Sequence, residues 1–227
     1  FIGGISGRVA DLGTAGRNGF TLAVEEQNAL GGINGRKIET YYKDDQQQPQ
    51  LAQAMVDELI SAQVDAIIGP MTSAMAVATV DQINRAQLLM MACTVTTDQL
   101  SKQDDWFMRP LSAISKHSGK MAQYLARHEP QATKAVAILD YGNQAYTENW
   151  LEGFTKAFAQ NERQVIAVEH YISNNETNFI GVAKSALRHN PSLILLSMNS
   201  VDAAIFAKEI RRAHPDVVIA ASEWAGT

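Results

Sequence analysis

The chain has 227 residues, of which 46% are hydrophobic and 19% charged, with a formal net charge of −5. That length suits one large domain or two lobes of about 110 residues each. The acidic balance and scattered basic pairs such as Arg36-Lys37 give no phosphate footprint for nucleic acid, and no apolar run approaches the roughly 18 residues that span a bilayer. One cysteine, Cys93, precludes an internal disulfide; it closes the apolar run 88–93 and reads as a small buried hydrophobe. The chain opens on Phe1-Ile-Gly-Gly without a signal segment, so it reads as a mature or trimmed piece.

Apolar runs alternate with amphipathic stretches from end to end. Strands are predicted near 1–5, 37–43, 64–68, 88–92, 134–139, 164–171, 193–197 and 217–221, and helices near 15–30, 49–62, 74–86, 115–128, 146–160, 178–189 and 201–213. In the first helix Phe20, Leu22, Ala23, Val24, Gln27 and Leu30 form a 3.6-residue stripe, and Gly31-Gly32 stops it. The runs at 135–139 and 193–196 are continuously apolar, so both faces must be covered, as in a parallel sheet between helices. The alternation stumbles at 98–114, where a polar loop and a short strand ending at Pro110 precede a fresh βα series. The expectation is an α/β protein of two lobes, 1–112 and 113–227, joined by a hinge.

Open parallel α/β sheets bind ligands outside the carboxyl ends of their strands, and here those ends are polar. The run 64–68 breaks at Gly69-Pro70 into Thr72 and Ser73 as a helical pattern begins, collecting hydroxyls and backbone N–H groups where a helix dipole favours an anion. Ser6 to Gly13, including Arg8 and Leu12, follow the first strand, and Thr94, Thr96 and Thr97 follow the fourth. In the second half, Asp140 to Tyr146, Met198-Asn199-Ser200 and Ser222-Glu223-Trp224 follow strands. Neutral hydroxyls suit a carboxylate, whereas Glu223 and Asp140 suit a cation. An α-amino acid is the simplest ligand carrying both charges close together, and Arg8, Leu12, Tyr146 and Trp224 would frame its side chain. A charge-assisted bond between its ammonium and Glu223 contributes about 1.5–3 kcal/mol.

Each residue also has a plainer role. Ser73 would cap the helix at 74–86, Thr94 and Thr96 would stabilise a turn, and Tyr146 and Trp224 would pack. Glu223 is read as functional because an acid directly after an apolar strand is poorly placed for solvent. Other motifs fail on context. Gly31-Gly-Ile-Asn-Gly35 lies between a helix and a strand, the wrong setting for a dinucleotide fingerprint. Ser118-Gly-Lys120 lacks the upstream glycine of a phosphate loop. The five histidines lack ligand spacing, and no set of nucleophile, base and orienting group stands out. No catalytic residue, metal or cofactor is expected.

The chain resembles the type I periplasmic binding proteins, in the leucine/isoleucine/valine-binding group that serves branched-chain amino acid ABC transporters. The matching pieces are Ser6-Gly7 with the loop to Gly13, the stretch from Ala23 to Lys37, Tyr42-Lys-Asp-Asp45, Ile68-Gly-Pro70 with Ser73, Thr94-Val-Thr-Thr97, Tyr146 and Glu223. The resemblance implies two Rossmann-like lobes with parallel sheets joined by a hinge, and binding without catalysis. It implies that Ser73, Thr94 and Thr96 hold the ligand carboxylate, that Glu223 and Thr96 hold the ammonium, and that Tyr146 closes from the second lobe. Asn199 stands where some relatives carry an aromatic side chain, so the resemblance does not fix the side-chain specificity. Family members continue past the point matching Thr227 and return to the first lobe, so this sequence is expected to be truncated at its C-terminus. The implied function is a periplasmic or lipid-anchored receptor that closes on a small amino acid or related carboxylate and delivers it to a membrane ABC permease complex. Two alternatives stay open: the ligand-sensing extracytoplasmic domain of a membrane signalling receptor, and a cytoplasmic α/β enzyme acting on a small carboxylate.

Overall fold

A computed structural model describes residues 1–160 and 162–226. The chain forms two compact units, one made of Phe1–Val95 with Lys102–Leu111 and the other of Thr96–Ser101 with Ser112–Thr227. Residues 96–101, which the sequence assigned to the first lobe, group with the second unit for a visible reason. Ile114 N donates to the Thr96 carbonyl (2.8 Å), and the Asp98 carboxylate accepts Ser115 N (3.1 Å) and Ser115 Oγ (2.8 Å).

In the first unit, β1 (Ile2–Gly3) pairs in parallel with β2 (Lys43–Asp44). A second sheet, also parallel, runs β3 (Ala66–Ile68), β4 (Leu89–Met91) and β5 (Phe107–Met108). Helices α1 (Ala10–Ala29), α2 (Pro49–Ser61) and α3 (Ser73–Ala86) intervene. Helix α2 starts on Pro49, whose missing N–H costs nothing in a first turn. Helix α3 ends at Gln87 in the left-handed region (φ 54°). The two pack together, and Ala52, Val56 and Leu59 of α2 and Met75, Ala76, Val80 and Ile83 of α3 are all buried. Two glycines permit close approaches that shape the loops. A Cβ on Gly69 (φ +110°) would lie 1.9 Å from the Ile2 carbonyl oxygen, and one on Gly13 would lie 1.9 Å from that of Gly4.

Three sequence expectations fail in this unit. The first helix begins at Ala10, absorbing residues expected in a loop, and its apolar stripe is not core. Leu22 and Leu30 are exposed, and Gly13 is the helix's one buried residue. The strand expected at 37–43 contracts to Lys43–Asp44. The Asn28 side chain accepts Ile38 N (2.7 Å) and donates to Ile38 O (3.0 Å), occupying the backbone groups that a ladder would use. Cys93 is exposed, not buried.

The second unit is a four-stranded parallel sheet, β7-β6-β8-β9, built from β6 (Lys134–Asp140), β7 (Gln164–Tyr171), β8 (Leu193–Ser197) and β9 (Val218–Ala221). Helices α4 (Ile114–His128) and α5 (Gln144–Phe158) pack together, and α6 (Phe179–Leu187) packs with α7 (Ser200–Ala213). Val136, Ile138, Ile194 and Leu196 form one core with Ala183, Ala186, Phe206 and Ile210. The alternate residues Ala135, Ala137, Leu139, Leu193 and Leu195 are equally buried, which explains why these strands read as unbroken apolar runs. The chain leaves β6 toward β7 on one side and later lays β8 on the other. The carboxyl ends of β6 and β8 therefore flank a reversal of strand order, where such sheets bind ligands.

Along α5, Trp150, Phe154 and Phe158 recur every four residues; Trp150 stacks on Phe154 with ring centroids 5.3 Å apart, and Phe154 meets Phe158 in a tilted contact at 4.9 Å. Arg163, just before β7, is buried (7% exposed). Its guanidinium donates to the carbonyls of Ala132 (2.8 Å), Glu129 (3.2 Å), Ala126 (3.2 Å) and Pro130 (3.4 Å), satisfying the carboxyl end of α4.

Candidate functional site

In the first unit the loop between β3 and α3 carries Thr72 and Ser73, both nearly sealed from solvent (4% and 1% exposed). Thr72 occupies the N-cap position in extended conformation, and its side chain makes no capping hydrogen bond. It donates instead to Gln47 Oε1 (2.8 Å), tying the loop after β2 to the start of α3. Ser73 is thus the first helical residue and not the cap that the sequence suggested. Thr94, half-buried, donates its hydroxyl proton to the Met71 carbonyl, joining the loops after β3 and β4. A turn role and a carboxylate-binding role compete for that one proton.

The loop after β1 is pinned by Asp44, which accepts Ser6 Oγ (2.5 Å), Ile5 N (3.0 Å) and Gln46 N (3.1 Å). Partial burial pushes its pKa upward, but these donors outweigh it and leave the carboxyl below the usual range. Arg8 sits just before α1 and Leu12 in its first turn, both half-buried. Next to Asp44 in the chain, Asp45 is fully buried, and that burial pushes its pKa up to about 6, although Gln47 N donates to Oδ1.

In the second unit, Glu223 begins a short turn of 3-10 helix (Glu223–Gly226) just after β9. It is exposed, contrary to the sequence expectation, because the chain turns at the sheet's edge. Its Oε2 accepts Trp150 Nε1 (3.0 Å) and Tyr146 OH (3.4 Å). Among the described residues no hydrogen bond reaches Oε1. Tyr146 is buried in the first turn of α5; its oxygen accepts Trp224 N (3.3 Å), and its ring meets the buried Trp224 edge-on at 5.7 Å. Burial pushes the Tyr146 pKa up, keeping the phenol a donor. Thr96 is buried on the segment fastened to α4.

Two acceptor groups that the sequence offered to a ligand are engaged within the unit. Asp140, at the end of β6, is 2% exposed, and its Oδ1 accepts Gly142 N (2.9 Å) and Ser173 N (3.2 Å). Burial pushes its pKa up to about 6, with the charge of Asp202 adding to the rise. This carboxyl organises the loops after β6 and β7 and is not presented to a cation. Asn199 is fully buried; Oδ1 accepts Asp202 N (2.9 Å), capping α7, and Nδ2 donates to Ser173 Oγ (3.3 Å).

Sequence reasoning missed Trp150 and Asn149. Asn149 Oδ1 accepts Asp98 N (2.5 Å) and Thr97 Oγ1 (3.2 Å), fixing the residues that follow Thr96. The available signal was helical spacing, since Tyr146, Asn149 and Trp150 lie at i, i+3 and i+4.

A profile of the periplasmic binding protein family matches residues 1–224. The leucine-specific-binding protein of Salmonella typhimurium is 25% identical over 166 residues, 73% of this chain and 44% of that relative. Among solved structures, the branched-chain amino acid transporter substrate-binding protein LivJ from Streptococcus pneumoniae, in complex with isoleucine, aligns with a TM-score of 0.84 and 25% identity over 97% of this chain and 62% of its own. A solute-binding protein of an R. palustris ABC transporter, in complex with benzoate, aligns with a TM-score of 0.85 and 20% identity over 99% and 61%; at that identity the likeness is one of fold. The chain spans less than two thirds of the length of each of these three proteins.

Proposed function

The chain belongs to the periplasmic binding protein family, and from that membership we propose that it is a solute-binding receptor for a small amino acid, not an enzyme. The carboxylate end of the ligand is recognised by Ser73 and Thr94 of the first unit and by Thr96, and the ammonium end by Glu223. Asn199 acts indirectly, by capping α7. The receptor works outside the cytoplasm and delivers its ligand to an ABC permease complex; the relatives named for amino acid binding and transport support this reading.

The observation that carries the ligand class is the state of Glu223. One carboxylate oxygen is fixed by two aromatic donors, while the other has no hydrogen-bond partner among the described residues, and the residue is exposed. A carboxylate so held accepts but cannot donate, and a cation is the group it suits.

A thermal-shift screen of the full-length protein against the common L-amino acids and their des-amino acids tests this. Ligand at a hundred times its dissociation constant adds about 2.7 kcal/mol to folded-state stability, a shift of several degrees for a protein of this size. A selective shift with amino acids is expected. Shifts confined to acids without an amine would overturn the ammonium assignment and favour a carboxylate receptor, as with the benzoate-bound neighbour.

A further inference from the structure

We infer that Trp150 is a positioning residue that makes the protein select ligands bearing an α-ammonium group, by locking the Glu223 carboxylate through its indole N–H. The inference rests on the amino-acid reading above and deepens it.

Trp150 is fully buried and does not itself meet solvent. A position in the interior between helix and sheet is filled equally well by leucine or phenylalanine, neither of which needs a polar partner. Here the indole N–H donates to Glu223 Oε2 at 3.0 Å, across 73 residues of sequence. The ring cannot drift, because it stacks on Phe154 (5.3 Å, 15° between planes), which packs in turn on Phe158. One turn earlier, Tyr146 OH donates to the same oxygen at 3.4 Å.

A glutamate side chain is free about three bonds, and ordering it is costly when a ligand must do so on arrival. Two donors on Oε2, backed by a rigid aromatic ladder, order it beforehand and leave Oε1 as the acceptor on offer. An ammonium uses that acceptor. A ligand lacking the amine does not, and it gains nothing from the ordering. Trp150 therefore acts on discrimination between these ligand classes and not on affinity in general.

The test is calorimetric titration of the full-length protein with the amino acid that ranks first in the thermal panel and its des-amino analogue (for L-leucine, 4-methylpentanoate). Trp150→Phe keeps the ring and removes the donor; replacing Trp150 by benzothienylalanine keeps the bicyclic shape as well, should the phenylalanine variant fold poorly. Either change is expected to weaken amino acid binding roughly tenfold, about 1.4 kcal/mol, and to leave des-amino acid binding within about twofold. In a Glu223→Gln background the same change is expected to have no further effect on amino acid binding, since the carboxylate charge that the ammonium uses is already gone. This cycle decides the matter by itself where the analogue binds too weakly to titrate. Equal losses for both ligands, no loss for the amino acid, or an undiminished loss in the Glu223→Gln background would each overturn the inference while leaving the receptor reading standing. An unaltered protein that binds no amino acid would overturn both.

Discussion

Glu223 illustrates how a residue can be suspected for the wrong reason. Its position after an apolar strand suggested a carboxylate withheld from solvent, yet it is exposed, and what sets it apart is the pair of aromatic donors on one oxygen. Glu223→Gln retains an acceptor but loses the charge, so amino acid affinity should fall at least tenfold, about 1.4 kcal/mol; an unchanged dissociation constant would remove the ammonium role. Arg163 makes the opposite case, a buried charge spent on backbone carbonyls. Its hydrogen bonds to four carbonyls predict that Arg163→Ala destabilises the fold by about 3 kcal/mol in urea denaturation, with ligand affinity unchanged. Asp140 contributes a pH dependence. Its folded pKa of about 6 lies above the ordinary 3.8, so the native state holds a proton that the unfolded chain releases. That contribution to stability is complete below about pH 4 and is lost as pH rises through about 6. Asp140→Asn should flatten the decline between pH 4 and 6 by about 1 kcal/mol per pH unit, while Asp45, also near 6, keeps its own share. An unaltered slope in denaturation curves at pH 4, 5 and 6 would contradict this.

Among the elements, those with uniform surroundings were legible in the sequence. Strands β6 and β8, covered on both faces, read as continuous apolar runs and were placed within one residue. Helices α2 and α3 were placed to within one residue by their periodicity and their bounding residues. The elements misread are those decided by a distant partner. The run at 37–42 has strand composition, but the Asn28 amide takes the backbone of Ile38 out of any ladder. The stripe of α1 is a good helical pattern whose Leu22 and Leu30 have no core to meet among the described residues. That Thr72 and Ser73 follow β3 and Thr94 and Thr96 follow β4 was legible because strand ends are readable. The Trp150–Glu223 bond was not, because its partners lie far apart in sequence. Helix α4 yields a prediction of the same non-local kind. Its first turn is served by Asp98 from outside the helix, so Asp98→Ala should lower stability by about 1 kcal/mol. A loss below a few tenths would show that solvent serves Ser115 equally well.

At the scale of the whole molecule, the division into two units runs through the threonine cluster. Thr94 belongs to the first unit and Thr96 to the second, and Ile114, Asp98 and Asn149 hold the segment after Val95 to its unit. The fold class was readable from the alternation of strands and helices, and the family from dispersed motifs that extend almost to the end of the chain. Ligand identity was not readable, because a hydroxyl cluster and one acidic residue define charge and not shape. Recognition of both charged ends of the ligand can be measured by calorimetric titration of the full-length protein with three matched compounds: an amino acid, the acid lacking its amine, and the amine lacking its carboxylate. Tight binding of the amino acid alone is predicted, with removal of either group costing at least tenfold in affinity, about 1.4 kcal/mol. Equal affinity for the amino acid and the acid lacking the amine would contradict it.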